Sequence, residues 1–470
     1  MSKKGSVMLS KVFKAYDIRG IVGDGLDEGV AWKVGYAAGK YLQSQVSGRD
    51  AADPMLQHVV VGRDMRPTSP KLAKALIDGF RSAGMNVFDV GMVDTSFIYF
   101  AINHLGCAGG VQTTASHNPI EYNGFKISGM KATPIGSATG LIDIQRLTAA
   151  IEDTKGKPDG RVEERDLWPA YADHVKRSLD LKRPLKVVVD ASNGMACEFI
   201  PRIFGKVKDL EIIPINMEIT GKFTHDPNPL VPENMQPTQD AVAEHKADLG
   251  VCFDGDADRC ILTDEHGTII GCDILGGLYA QHFLEKSPES AVIYDLRSSK
   301  ALKETIEELG GKPVRGRVGH VFLKQLMREN NGVFGAELSG HLYYRDNFYT
   351  DSGAITFAVA LSILSAQSKP MSELIKPLTK YKQSGEINFR VPDKDAAIDS
   401  IKARFDGRGT LDELDGITID AWEDEGWWMN VRASNTEPLL RLNMEGRDIA
   451  TLHAQLDEVT PLLGEPLKGH

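Results

Sequence analysis

One repeated pattern constrains this 470-residue chain most: a short β-branched run, a helical pattern closed by glycine, then another β-branched run. "HVVVG" (58–62) leads into "SPKLAKALIDGFRSAG" (69–84), and "NVFDVG" (86–91) follows. Within the middle stretch Leu72, Ala75, Leu76 and Phe80 recur at helical spacing, and Gly84 supplies a stop. Two strands joined through a helix form a β-α-β unit, which predicts a parallel or mixed sheet covered by helices. The pattern returns at "LKVVVDASNGMA" (185–196) with "LEIIPIN" (210–216), and at "AVIYDLRSSKALKETIEELGG" (291–311) with the strand, helix and strand of 313–346. After "KYKQSGEINFRVPDK" (380–394) it changes to four strand-like runs and two helical ones. The expected architecture is three similar mixed α/β domains plus a smaller C-terminal α+β domain. Polar or Gly/Pro-bearing breaks place these at 1–158, 159–267, 268–381 and 382–470.

Composition narrows the function. A net charge of −11 and a pI near 5.6 argue against non-specific binding to nucleic acid or anionic membrane. Anionic substrates therefore need a local gathering of Lys and Arg. Five cysteines with no C-x-x-C pair read as small buried residues in a reducing compartment. The N-terminal stretch has no apolar core of signal-peptide length, and no window reaches the ~18 apolar residues of a membrane span. The expected location is the cytoplasm, with no nucleic-acid or membrane partner; the sequence does not address oligomeric state.

Four stretches carry candidate chemistry. In "TTASHNP" (113–119), turn-type residues follow the short strand of "CAGGVQTT" (107–114), which holds Ser116 at the end of a sheet strand, where α/β proteins bind ligands. No G-x-S-x-G elbow is present, and adjacent His117 is badly placed to act as a base on its own neighbour, so a hydrolase triad is not the natural reading. The alternative is simple loop punctuation.

In "DGDADR" (254–259), Asp254, Asp256 and Asp258 are spaced by two, so an extended backbone would put all three carboxylates on one face. Carboxylates gathered in this way call for a hard divalent cation, Mg2+ foremost. A calcium loop of the EF-hand type would use Glu265 at its twelfth position but lacks the required glycine and helical flanks; a solvated acidic turn is the other alternative.

In "GAELSGH" (335–341), Glu337, Ser339 and His341 alternate, so an extended loop would point all three at a polyhydroxylated ligand; an incidental bulge is the plain reading. In "RASNTEP" (432–438), Arg432, Ser434, Asn435 and Thr436 offer the donors of a phosphate cradle, or else simply cap a turn. Phosphoryl transfer on a phosphosugar unites the four, because that reaction depends mainly on positioning and charge neutralisation. Arg259 adds a second cation, Arg19 is a further candidate for the pocket, and Lys126 serves as base if burial or neighbouring cations depress its pKa.

Together "AYDIRG", "TTASHNP", "NGFK", "DGDADR", "GHVFLK", "GAELSGH" and "RASNTEP", in that order along almost the whole chain, resemble the α-D-phosphohexomutases, within them the phosphomannomutase/phosphoglucomutase group. The resemblance implies four domains around a central cleft, one motif from each. It also implies a phosphoserine at Ser116 in the resting enzyme, and one Mg2+ per chain on Ser116, Asp254, Asp256 and Asp258. A hexose 1,6-bisphosphate would serve as intermediate and activator. Tyr16, Arg19, Lys126, His117, Arg259, His320 and Arg297 join the site by the same resemblance. Leu338, apolar where the phosphoglucosamine mutases usually carry Gln, fits the phosphomannomutase/phosphoglucomutase group better. A phosphoglucosamine mutase and a Mg2+-dependent sugar phosphatase are the alternative activities.

Overall fold

The computed structural model describes residues 9–47, 52–152, 156, 158–434 and 439–467. They form two compact units, Met1–Ile270 with Gly340–Ser372, and Gly271–Ser339 with Glu373–His470.

The first unit opens with a six-stranded sheet: β1 (Ile18–Ile21), β2 (His58–Arg63), β3 (Asn86–Met92), β4 (Gly109–Thr113), β5 (Tyr122–Gly129) and β6 (Val162–Glu164), in the order β1-β5-β4-β2-β3-β6. β2 runs parallel to β3 and β4, whereas β5 returns antiparallel to β4 and pairs with β1. The predicted helix spans Ser69–Ser82 and turns Leu72, Leu76 and Phe80 into the same core as Val59, Val61, Val111 and Phe125. It ends at Ser82 with Ala83 as its cap, and the chain then enters the left-handed region at Gly84 (φ 88°), the residue expected to stop it.

A second sheet follows, with β7 (Leu185–Asp190), β8 (Leu210–Ile215), β9 (Leu249–Phe253) and β10 (Cys260–Thr263) in the order β10-β9-β7-β8. β7 is parallel to β8 and β9, and β10 folds back antiparallel on β9. The acidic motif is thus the turn of a β-hairpin. Strands on both sides rule out the calcium-loop alternative, and Glu265 instead accepts hydrogen bonds from the backbone N–H and hydroxyl of Ser372.

In the second unit, β11 (Ala291–Asp295), β12 (Lys312–Gly316) and β13 (Phe334–Ala336) run parallel in the order β12-β11-β13. A short antiparallel pair, β14 (Leu342–Tyr344) and β15 (Thr350–Asp351), belongs to the first unit. There it precedes the helix Gly353–Ser365, every residue of which is buried. Phe357 of that helix stands edge-on to Phe253 and Phe204.

The C-terminal module is an antiparallel sheet of β16 (Lys382–Phe389), β17 (Thr410–Asp412), β18 (Ile417–Asp420), β19 (Trp427–Ala433) and β20 (Leu440–Gly446), in the order β16-β20-β19-β18-β17. Helices Lys394–Arg404 and Ile449–Leu463 cover a core that includes Phe389, Ile401, Trp427, Val431 and Leu442. β17 is a three-residue strand at the sheet edge with Thr410 and Leu411 exposed, too short to show an alternating pattern. All five cysteines are free and buried. Among the described residues no helix is long and apolar enough to cross a membrane.

Candidate active site

Ser116 sits two residues beyond Thr114, where β4 gives way to the loop that leads into β5. It is buried and lies in the left-handed region at φ 50°, a conformation that costs a non-glycine residue energy unless its surroundings hold it there. Its surroundings do so. Its N–H donates to Thr114 Oγ1 at 3.0 Å, and the buried guanidinium of Arg66 donates to the carbonyls of Ser116, Asn118, Pro119 and Tyr122. The side chain thereby faces the acidic hairpin. Ser116 Oγ donates to Asp254 Oδ2 at 2.9 Å, with His117 Nδ1 at 3.3 Å and Arg259 Nη2 at 3.5 Å.

Asp254, Asp256 and Asp258 converge as expected, but not by alternation along an extended strand. Residues 255–258 turn, with Ala257 at φ 58°, and the turn brings one oxygen of each carboxylate within 4.8 Å of the others. All three are buried. Burial, with the like charges of Asp258 and Asp256, pushes Asp254 up to about 6 against the pull of Arg259, whose Nε donates to Asp254 Oδ2 at 2.9 Å. Burial also works to raise Asp256, yet the ammonium of Lys126 and the Thr95 hydroxyl hold it below the usual carboxylate range.

Lys126 departs from the expectation set for it. Burial does favour its neutral form, but Nζ lies 2.6 Å from both Asp256 Oδ2 and Asp258 Oδ2. Those two carboxylates and Asp254 outweigh burial and raise its pKa above the ordinary lysine value. In this arrangement Lys126 is an ammonium, a counter-ion rather than a base. His117 goes the other way: burial, then the cations Arg259 and Arg19, push it well below the usual histidine value. Its Nδ1 faces an Arg259 N–H, so it is a neutral imidazole that accepts there. Arg19, on β1, reaches the same loop by donating to Asn118 Oδ1 at 2.6 Å, and its other arm pairs with Asp17. Tyr16 lies half-buried in the bend before β1. His341, expected beside Glu337, is placed by its Nδ1 at 2.8 Å from Asp351 Oδ2 and 3.7 Å from Asp258 Oδ1. The extended alternation of the "GAELSGH" stretch is not observed: residues 338–340 turn, with Gly340 at φ 91°.

The donor set of the hairpin suits a hard cation. Asp256 Oδ1 and Asp258 Oδ1 are buried and accept no hydrogen bond, while the opposite oxygen of each already binds a positive group in Lys126. Oxygen-only ligands around a cation match Mg2+ chemistry, and Asp254, Asp256 and Asp258 are the residues that would hold the ion.

The remaining candidates lie in the second unit. Arg297 follows β11 and is buried, with Nη2 at 2.8 Å from Asp295 Oδ2 and 3.9 Å from Glu337 Oε1. His320 is half-buried at the start of the helix His320–Glu329, after Gly319, and Ser339 is half-buried in the turn after β13. Arg432 is buried on β19 and donates to Glu386 Oε2 at 2.6 Å, and Ser434 is buried just beyond it. Asn435 and Thr436 lie outside the described residues.

Sequence reasoning missed Thr95, Arg66, Asn118 and Glu386. Thr95 Oγ1 donates to Asp256 Oδ2 at 2.6 Å across a separation of 161 residues, and no local pattern announces such a pairing. Arg66 carried a weak signal: an arginine two residues after an aspartate in "GRDMRP", the pair that forms the buried Asp64–Arg66 bridge.

Phosphoglucomutase/phosphomannomutase family models match in succession: alpha/beta/alpha domain I at residues 10–155, domain II at 169–267, domain III at 272–381 and the C-terminal domain at 386–462. The chain is 38% identical to a phosphomannomutase of Escherichia coli K12 over 468 residues, covering 96% of this chain and 99% of the relative. It is 40% identical to a Xanthomonas campestris protein named for phosphohexose mutases, covering 97% and 100%. The solved structure of a phosphoglucomutase/phosphomannomutase family protein from Burkholderia thailandensis superposes with a TM-score of 0.85 at 32% identity, covering 97% of this chain and 99% of that one. With every family domain matched in order along nearly its full length, the chain belongs to the phosphoglucomutase/phosphomannomutase family.

Proposed function

We propose that the chain is a phosphohexomutase that interconverts hexose 1-phosphate and hexose 6-phosphate, with mannose and glucose phosphates as its substrates. The observation that carries this reading is Ser116 Oγ, 2.9 Å from Asp254 Oδ2 and facing Arg259, inside a buried group of three aspartates. A phosphate ester there would face three carboxylates balanced by Arg259 and Lys126, a deficit that a divalent cation on the aspartates would offset. In the resting enzyme Ser116 carries the phosphoryl group. A sugar hydroxyl attacks its phosphorus, the P–Oγ bond breaks as the new P–O bond forms, and the hydroxyl proton leaves to a nearby base. The product, a hexose 1,6-bisphosphate, reorients and returns its other phosphate to Ser116.

Arg259 stabilises charge on the serine oxygen, and neutral His117 keeps Arg259 directed there. Arg66 and Arg19 fix the loop. A divalent cation held by Asp254, Asp256 and Asp258 would supply charge neutralisation for the transferring group. Lys126 would accept the hydroxyl proton only as the neutral amine, after giving up its contacts with Asp256 and Asp258. By the family resemblance, Arg432 and Ser434 of the second unit would grip the phosphate that is not transferred, and Arg297, His320, Glu337 and Ser339 would contact the sugar. Holding a second phosphate gains nothing for a hydrolase, which weighs against a sugar phosphatase, and the relatives named above are phosphomannomutases and phosphohexose mutases rather than phosphoglucosamine mutases.

The test combines intact-protein mass with a coupled assay on mannose 1-phosphate and glucose 1-phosphate, with and without EDTA. The expected result is a fractional phosphorylated species that Ser116→Ala abolishes, and turnover of both sugars that needs a divalent cation. Full activity of Ser116→Ala, or phosphate release as fast as isomerisation, sinks the proposal.

A further inference from the structure

Arg432 on β19 and Arg441 on β20 are direct cross-strand partners in the antiparallel register. Like charges placed opposite one another destabilise a sheet unless an anion lies between them. Here the anion is Glu386. It stands on β16, the strand that pairs with the other edge of β20, just past a bulge between Gln383 and Glu386 that re-aims the strand. Its Oε2 accepts from Arg432 Nη2 at 2.6 Å and from Arg297 Nη1 at 3.2 Å, and its Oε1 accepts from Arg441 Nη1 at 3.1 Å. Three guanidinium groups thus close on one carboxylate, which keeps a side-chain exposure of 24% and so stays reachable from solvent. The charges show the strain of the cluster. Burial works to raise Glu386, but Arg297, Arg432 and Arg441 hold it below the usual carboxylate range. Burial, then Arg297 and Arg441, lower Arg432 below its ordinary value despite Glu386.

We propose that Glu386 is a resident anion of the phosphate clamp: it occupies Arg432 and Arg441 when no substrate is bound, leaves them when a substrate phosphate enters, and thereby sets the clamp's affinity. The proposal rests on the reading of Arg432 as the grip for the untransferred phosphate. A phosphate monoester and a carboxylate present the same oxygen edge to a guanidinium, so the two compete for the same N–H groups. Competition with a tethered carboxylate lowers apparent affinity by the fraction of molecules in which the clamp is open. Arg441, which the sequence reading passed over, becomes a phosphate ligand on the same grounds. The side effect is protective: the two opposed arginines never face each other without a counter-ion.

The experiment measures inorganic phosphate as the probe, by calorimetry and as a competitive inhibitor of the mutase reaction, on three proteins: wild type, Glu386→Gln and Arg432→Ala. Glu386→Gln keeps the side-chain shape and removes the charge. It should bind phosphate about tenfold tighter than wild type, with KM for glucose 1-phosphate lower by a similar factor, as expected if about nine molecules in ten are closed by the carboxylate. Arg432→Ala should lose this binding. Phosphate binding by folded Glu386→Gln that is unchanged or weaker overturns the proposal and makes Glu386 an organiser of the arginines. Unaltered phosphate binding by Arg432→Ala overturns the clamp reading itself, a separate failure. Should Glu386→Gln not fold, a crystal structure of the wild type soaked in inorganic phosphate decides. Glu386 turned away from Arg432 supports the proposal, and Glu386 still bonded to Arg432 beside a bound phosphate overturns it.

Discussion

Gly255 and Ser116 touch: a Cβ built on Gly255 would stand 2.4 Å from the carbonyl oxygen of Ser116. The acidic hairpin and the serine loop, from different sheets of the first unit, therefore meet through a backbone contact that only glycine permits. The obstacle is main chain, so no side chain can swing aside to relieve it. Gly255→Ala must push the loops apart and lengthen the 2.9 Å contact between Ser116 and Asp254. Misplacement of reacting groups by about 1 Å costs on the order of a hundredfold in rate, and overpacking about 1–3 kcal/mol in stability. A variant with wild-type kcat would show that this approach is not needed for turnover.

Arg66 is the keystone of the serine loop. It is almost fully buried, donates to four loop carbonyls and pairs with buried Asp64. Burial raises the Asp64 carboxyl, and Arg66 is the first group that opposes the rise. Arg66→Met removes the cation and leaves an uncompensated buried acid. Breaking such a pair from one side costs about 3–5 kcal/mol. Urea denaturation is expected to show a loss of that size, and intact-protein mass a loss of the phosphoryl group proposed at Ser116. A loss below about 1 kcal/mol would mean the carbonyls find other donors.

How much of this was legible in the sequence depends on how far apart the partners lie. Asp254, Asp256 and Asp258 sit within one hexapeptide, so their convergence was readable, although the reason given for it, an extended strand, gave way to a turn. The strands of the β-α-β units were readable because buried β-branched runs announce themselves. The helix Gly353–Ser365 was not, because it is buried on every side and has no polar face to set a period. The charge state of Lys126 was misjudged for a related reason. Burial and its nearby cations could be guessed, but the carboxylates that overrule them lie 130 and 132 residues away. Thr95 and Glu386 act only through partners brought near by folding, and no local spacing marks them; Arg66 is marked only by Asp64 two residues before it, which gives no hint of the loop carbonyls it holds.

Thr95 offers a test of how the acidic hairpin is held. Its hydroxyl donates to Asp256 Oδ2 at 2.6 Å, and its N–H donates to the Asp256 carbonyl at 3.2 Å. Thr95→Val keeps the shape and the backbone bond but drops the hydroxyl. Removing a hydrogen bond that orients a metal ligand typically costs 10–100-fold in metal affinity. The Mg2+ concentration for half-maximal mutase rate should rise by that factor, with kcat at saturating Mg2+ close to wild type. An unshifted Mg2+ curve would leave Thr95 as packing alone.

Asp94, next to Thr95, couples stability to pH. It caps the helix Thr95–Leu105, and its Oδ2 accepts from Phe97 N–H and from the Tyr171 hydroxyl at 2.8 Å. Oδ1 is buried without a hydrogen-bond partner, so it is the oxygen that would carry a proton. Burial pushes this carboxyl up to about 7, against the lowering pull of Tyr171 and Phe97. An unfolded aspartate titrates near 4. Between those values the folded chain holds a proton that the unfolded chain has released. Stability from this group is therefore full below about pH 4 and falls away as pH rises toward 7. The total is on the order of a few kcal/mol. Asp94→Asn keeps an acceptor for the cap and removes the titration. Plotted against pH, the stability difference between wild type and Asp94→Asn should slope across this window and level off outside it. Parallel curves from pH 4 to 7 would mean that Asp94 stays ionised in the folded protein, with Tyr171 and the helix N-terminus supplying all the stabilisation its charge requires.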